Sequence, residues 1–169
     1  EADSLYAGIM IDTNNFLTKT GVRTFEAAAF LRRCGADVTR VRKMFREHVE
    51  DYRAKGEAIR NAELFRDHFA ISVCPSEGLD SPTVVGAQAA NELLNIIGVK
   101  ASFVLTDYRN TIYISARSID EINVQIVMER LGGGGHLNIA GAQLEHYSIA
   151  EARDVLKQTL QKMLDEGDI

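Results

Sequence analysis

Four consecutive glycines, Gly132-Gly133-Gly134-Gly135, run directly into His136 and constrain this chain more than any other feature. Each glycine in regular structure costs ~0.5–1 kcal/mol relative to alanine. Such a run suits a place where the backbone approaches another group closely or takes positive φ. Residues 123–131 before it have helical spacing. A short helix is expected after it, then a strand at residues 141–145. Exposed amides at a helix start can form an anion nest, and His136 would add a side-chain donor at its mouth. The spacing fits neither the dinucleotide fold nor the Walker loop. A flexible loop with an incidental histidine stays open on these residues alone.

A second feature lies a short way upstream. Tyr113-Ile114-Ser115-Ala116-Arg117-Ser118 reads as a strand, and alternation puts Ser115 and Arg117 on one face. The arginine fork matches phosphate oxygens, and the serines supply hydroxyl donors. A strand-end arginine also serves in surface ion pairs, so its nearness to the glycines is what suggests one shared site. Asp12-Thr13-Asn14 is a third candidate, because carboxylate and amide oxygens suit hard divalent cations. One aspartate makes no metal site, and a turn or helix cap accounts for it equally well.

Helical spacing continues elsewhere. Residues 2–11 read as a buried helix, and residues 24–34 as a second with Phe25, Ala28, Ala29 and Leu31 on its apolar face. Asp37 caps a long, charged helix expected over residues 38–62. After residue 64 the texture changes. A strand over 69–74 and a helix from Ser81-Pro82 to about residue 97 precede strands at 99–105 and 111–116. Ser148, with Glu151 three positions on, starts a final amphipathic helix. The expected fold class is α/β, a mixed β-sheet flanked by helices, preceded by a helical segment and a long connector helix. The division expected is residues 1–36, a connector over 37–63, and a domain over 64–169.

The chain has 169 residues, a formal net charge of −5 and a pI near 5.4. That balance opposes broad binding to duplex nucleic acid, which needs a basic surface. It leaves room for a small nucleotide held by one local positive cluster. Cys34 and Cys74 lack metal-ligand spacing and read as reduced thiols of a cytoplasmic domain. No apolar run reaches the ~20 residues that cross a bilayer. The opening residues, Glu1 to Asp12, read as the middle of an element, so a piece of a longer protein is expected.

Together these motifs resemble a known family. Gly8-Ile9-Met10-Ile11-Asp12-Thr13-Asn14-Asn15-Phe16 is similar to the last metal motif of the Asp-His-His phosphoesterases. Ile114-Ser-Ala-Arg-Ser118 followed by Gly132-Gly-Gly-Gly-His136 resembles the substrate-binding domain associated with them. The version Gly-Gly-Gly-Gly-His-Leu-Asn-Ile-Ala-Gly-Ala-Gln is most similar to the cyclic-di-AMP phosphodiesterases of that family. The resemblance implies a membrane-anchored parent that hydrolyses cyclic-di-AMP to linear pApA with two Mn²⁺ ions. In that family Asp12 matches a metal ligand, and Ser115, Arg117, Ser118, Gly132 to Gly135 and His136 match substrate-contacting positions. This chain lacks the earlier Asp-X-Asp and Asp-His-His motifs, so an incomplete active site that does not bind the metal pair is expected. The implied ligand is a cyclic or short linear dinucleotide, with no membrane contact by this piece and a homodimer possible. Two alternatives remain at this point: an oligoribonuclease acting on short RNA, and a non-catalytic nucleic-acid-binding or oligomerisation module.

Overall fold

The computed structural model describes residues 1–119 and 121–169. These form two compact units, Glu1–Glu47 and His48–Ile169.

The first unit is helical: α1 (Ala2–Asp12), α2 (Val22–Arg33) and α3 (Val38–Met44). Asp37 caps α3 as expected, its Oδ1 accepting from the Thr39 and Arg40 amides at 2.8 and 2.9 Å. Asp3 ties α1 to α3 by accepting from Arg40 Nε at 2.6 Å and from the Asp37 amide at 2.7 Å. The Arg40 hydrogen bond, with the Asp37 amide second, holds the Asp3 carboxyl below its ordinary pKa. The expectation of a buried first helix is corrected within this unit. Only Ala7 of α1 is buried, while Leu5 and Ile11 are 62% and 66% exposed. On α2, Ala28 and Leu31 are buried, but Phe25 and Ala29 are exposed. Three short helices give each other one apolar seam, too few neighbours to cover helices that are apolar on several sides.

The single helix expected over residues 38–62 is two helices. Phe45 closes α3, and His48 takes extended backbone (φ −69°, ψ 153°) to open α4 (Val49–Arg60) in the second unit. Small residues decide where α4 goes. Ala54 and Ala58 are buried in one cluster with Val85, Ala89 and Leu93, and the Ser72 hydroxyl donates to the Ala58 carbonyl.

The second unit is built on a six-stranded mixed sheet in the order β1-β2-β3-β4-β6-β5. Its strands are β1 (Glu63–Phe65), β2 (Phe69–Val73), β3 (Ala101–Tyr108), β4 (Thr111–Ser118), β5 (Gly134–His136) and β6 (Ile139–Glu145). β2 and β3 run parallel through the crossover helix α5 (Pro82–Leu93), and the remaining pairs are antiparallel. The β3–β4 hairpin turns through Arg109 and Asn110 at φ 53° and 61°, the paired left-handed conformation of a tight hairpin.

The two faces are covered unequally. On one, Ile71, Phe103, Leu105, Ile112, Ile114 and Met128 form the main core beneath α6 (Val124–Arg130) and α7 (Ile149–Glu166). The Ser148–Glu151 capping box is present at the start of α7. On the other, α4 and α5 cover β2 and β3, where Ala70, Cys74 and Val104 join their cluster. The Ser102 hydroxyl donates to the Ala90 carbonyl at 2.6 Å and fixes α5 over β3. Within this unit, no helix seals the same face of β4, β6 and β5. Tyr113, Ser115 and Arg117 are only half-buried there, and Ile139 and Gln143 are exposed.

Candidate functional site

The glycine run is the turn between α6 and β5, and each glycine has its own reason. Gly132 takes φ +79° just past the end of α6. Its amide donates to the Glu129 carbonyl at 3.0 Å, and that of Gly133 donates to Met128 at 2.8 Å. This is a left-handed helix stop that satisfies carbonyls left unpaired at a helix end. Gly133 and Gly135 lie against β6. A Cβ at Gly133 would stand 2.1 Å from the Gly141 carbonyl oxygen, and one at Gly135 would stand 2.5 Å from Ala140 Cα. Gly134 differs: a Cβ there would meet nothing within 4 Å, and its φ is not left-handed.

Two parts of the expected anion nest are therefore corrected. No helix begins after the glycines; β5 and β6 follow, so no helix N-terminus faces the loop. The amides of Gly132 and Gly133 already serve α6. The competing demand was the stop of a helix whose negative end sits at this turn. Gly134, Gly135 and His136 remain on an edge strand, one side of which has no partner strand.

Strand register assembles the site. Ser115 pairs with Gly141, which pairs with Gly134. One row along, Arg117 pairs with Ile139, which pairs with His136. Residues opposite one another share a face, so these six lie together on the half-face that α5 leaves open. Strand spacing separates Arg117 from His136 by roughly 10 Å of backbone, a gap that a bound group between them would bridge. Ser118 is not among them. It is buried toward the opposite face, its hydroxyl donating to the Leu137 carbonyl at 3.3 Å, while Asn138 Nδ2 donates to the Ser118 carbonyl at 3.2 Å. Ser118 thereby ties β4 to the turn that carries His136.

Arg117 is the distinctive group. Its Nη1 donates to its neighbour's carbonyl, that of Ala116, at 2.9 Å, and its Nε is buried without a hydrogen-bond partner. No carboxylate pairs with it among the described residues. Burial pulls its pKa below the ordinary value, although a guanidinium stays charged. A half-buried cation with an unused donor is stabilised by an anion that approaches over the bare surface at Gly134 and Gly141.

Asp12 is the last residue of α1 and is exposed. No three His, Cys, Asp or Glu side chains gather as a metal site among the described residues. The residues present do not fit a metal centre of their own.

Sequence reasoning passed over Tyr113, Ile139, Gly141 and Gln143, which share the open half-face. The alternation of β4 could have picked out Tyr113, two residues before Ser115. The β6 residues needed its register.

Comparison with known proteins agrees with this architecture. The chain is 43% identical over 157 residues to the cyclic-di-AMP phosphodiesterase PdeA of Listeria monocytogenes, covering 92% of this chain and 24% of that protein. It is 43% identical over 169 residues to the cyclic-di-AMP phosphodiesterase GdpP of Bacillus subtilis, covering 99% and 26%. The chain thus spans about a quarter of the length of these two relatives. An exopolyphosphatase-related protein from Bacteroides fragilis superposes with a TM-score of 0.85 at 24% identity, over 96% of this chain and 50% of the other, and shares the fold. Residues 68–162 match the DHHA1 domain, and with more than half its residues matched the chain belongs to the DHHA1 domain family.

Proposed function

We propose that this chain is the substrate-binding part of a phosphodiesterase that hydrolyses cyclic-di-AMP to linear pApA. The observation that carries the reading is Arg117, a half-buried guanidinium with no carboxylate partner, beside bare backbone at Gly134 and Gly141. Arg117 and His136 would hold a phosphate between them, with Ser115 beneath it. Ser118 and the glycines that serve α6 and β6 would act as supports. Similarity to PdeA and GdpP supports the choice of cyclic-di-AMP.

The hydrolytic step belongs to the longer protein. In this reading two Mn²⁺ ions act there, with Asp12 as one ligand among others supplied outside this chain. Membrane attachment is likewise assigned to the longer protein. Among the described residues no helix is long and apolar enough to cross a membrane. Assembly of the longer protein as a homodimer is part of the same proposal.

Calorimetric titration with cyclic-di-AMP tests the site. Arg117→Ala removes a charge-assisted contact worth about 1.5–3 kcal/mol, or roughly 10- to 150-fold in affinity. His136→Ala is expected to weaken binding by a similar or smaller factor. Gly134→Val is expected to abolish binding by filling the open space, with the fold retained. Unchanged affinity in Arg117→Ala and His136→Ala would place the site elsewhere. Tighter binding of a short RNA than of cyclic-di-AMP would favour the oligoribonuclease reading.

A further inference from the structure

The open half-face extends past the phosphate position. In register, Tyr113 lies beside Gln143, one row beyond Ser115 and Gly141 and two rows from Arg117. Four residues of β4 separate Arg117 from Tyr113, or about 14 Å of extended strand. That is comparable with one nucleoside monophosphate laid out from phosphate to base edge. The surface between is flat because Gly141 and Gly134 present no side chains.

The far end has the chemistry of a base site. Tyr113 is half-buried and packs against Tyr108, with ring centroids 6.5 Å apart and planes at 51°. That neighbour holds the Tyr113 ring and leaves it able to stack a base. Gln143 is exposed, and no hydrogen bond within the protein engages its amide. A carboxamide donates to N7 and accepts from the N6 amine of adenine, a pair that guanine cannot return because it offers O6 in place of the amine.

Resting on the phosphate reading above, we propose that Gln143 is the specificity-determining residue of this domain, reading adenine while Tyr113 stacks on it. The phosphate end and the base end are then two separable parts of one nucleotide site. Ser115, Gly141 and Gly134 form the floor beneath the sugar.

Titration of the chain with two linear dinucleotides, pApA and pGpG, tests this. The unaltered chain is expected to prefer pApA by about ten-fold or more. Gln143→Ala is expected to erase the preference by weakening pApA, leaving pGpG within about two-fold. Tyr113→Ala is expected to weaken both ligands alike and Tyr113→Phe neither, since stacking ignores base identity. Equal binding of the two ligands by the unaltered chain would overturn the proposal. So would a preference that survives Gln143→Ala, provided Arg117→Ala loses both ligands; the phosphate reading then stands alone. If Arg117→Ala binds both ligands unchanged, the phosphate reading falls and the base assignment with it. Gln143 is exposed, and far-ultraviolet circular dichroism of each variant confirms that the fold is retained.

Discussion

A methyl group tells the glycines of the 132–135 run apart. At Gly133 it would collide with the Gly141 carbonyl oxygen, which belongs to backbone and cannot swing away. Gly133→Ala is expected to lower unfolding free energy by about 3 kcal/mol, at the upper end for overpacking. Gly134→Ala is expected to change it by less than ~1 kcal/mol, since the site is open and φ ordinary. Urea titrations of both variants, read against ligand titrations, separate folding from function: Gly133→Ala costs stability, whereas Gly134→Val costs binding. Equal destabilisation by the two alanines would refute the division. The cysteines differ just as sharply. Cys74 is buried, and burial, with Glu57 nearby as a smaller cause, pushes its thiol up to about 11 from 9.0. Cys34 is exposed. At neutral to mildly alkaline pH a thiol reagent should modify only Cys34 in the native protein and both after denaturation. Linkage sets the sign for pH. A folded pKa above the unfolded one contributes stability that is complete below pH 9.0 and is lost as pH rises toward about 11. Replacing Cys74 with alanine should flatten the fall in stability across that window.

Elements end where competing demands meet. α7 begins with a reciprocal cap: the Glu151 amide donates to Ser148 Oγ at 3.2 Å, and Glu151 Oε2 accepts from the Ser148 amide at 2.8 Å. Ser148→Ala should cost about 1 kcal/mol of stability, measured by chemical denaturation. The Ser148 backbone donor, then its hydroxyl, keeps the Glu151 carboxyl below its ordinary value of 4.5. A depressed folded pKa contributes stability that is present above pH 4.5 and lost as pH falls through the folded value. Glu151→Gln should therefore reduce the acid sensitivity of unfolding. The cap was legible because Ser-X-X-Glu acts within one turn. The end of α6 was not, although its signal was the same run of glycines. Gly132 is at once a helix stop and the entry to an edge strand, and local spacing cannot tell whether a helix or a hairpin follows. The split between α3 and α4 was equally hidden. Residues 38–62 carry continuous helical charge spacing, and only the burial of Ala54 and Ala58 against α5 shows that α4 belongs to the sheet-bearing unit.

Every residue proposed to touch the nucleotide lies in the unit His48–Ile169, and the metal-matching Asp12 lies in Glu1–Glu47. We expect residues 48–169, expressed alone, to bind pApA as tightly as the whole chain; a loss of more than ten-fold would show that residues 1–47 contribute. We also expect the 169-residue chain to leave cyclic-di-AMP intact with millimolar Mn²⁺, because a two-metal step needs several ligands. Metal-dependent turnover by the purified chain would contradict this. The amino-acid sequence by itself determined what depends on neighbours a few residues away: the caps at Asp37 and Ser148, the β3–β4 hairpin, the mixed α/β class, and Arg117, Gly134 and His136 as residues worth testing. These follow from strand alternation, turn chemistry and side-chain identity, which act within a turn or a strand. Only the tertiary structure decided that Ser118 faces away from Arg117, that Gly133 serves β6, and that Gln143 sits beside Tyr113. Those facts depend on the register of β4, β6 and β5 and on which half of the sheet α5 covers, and such long-range packing leaves no local mark on the chain.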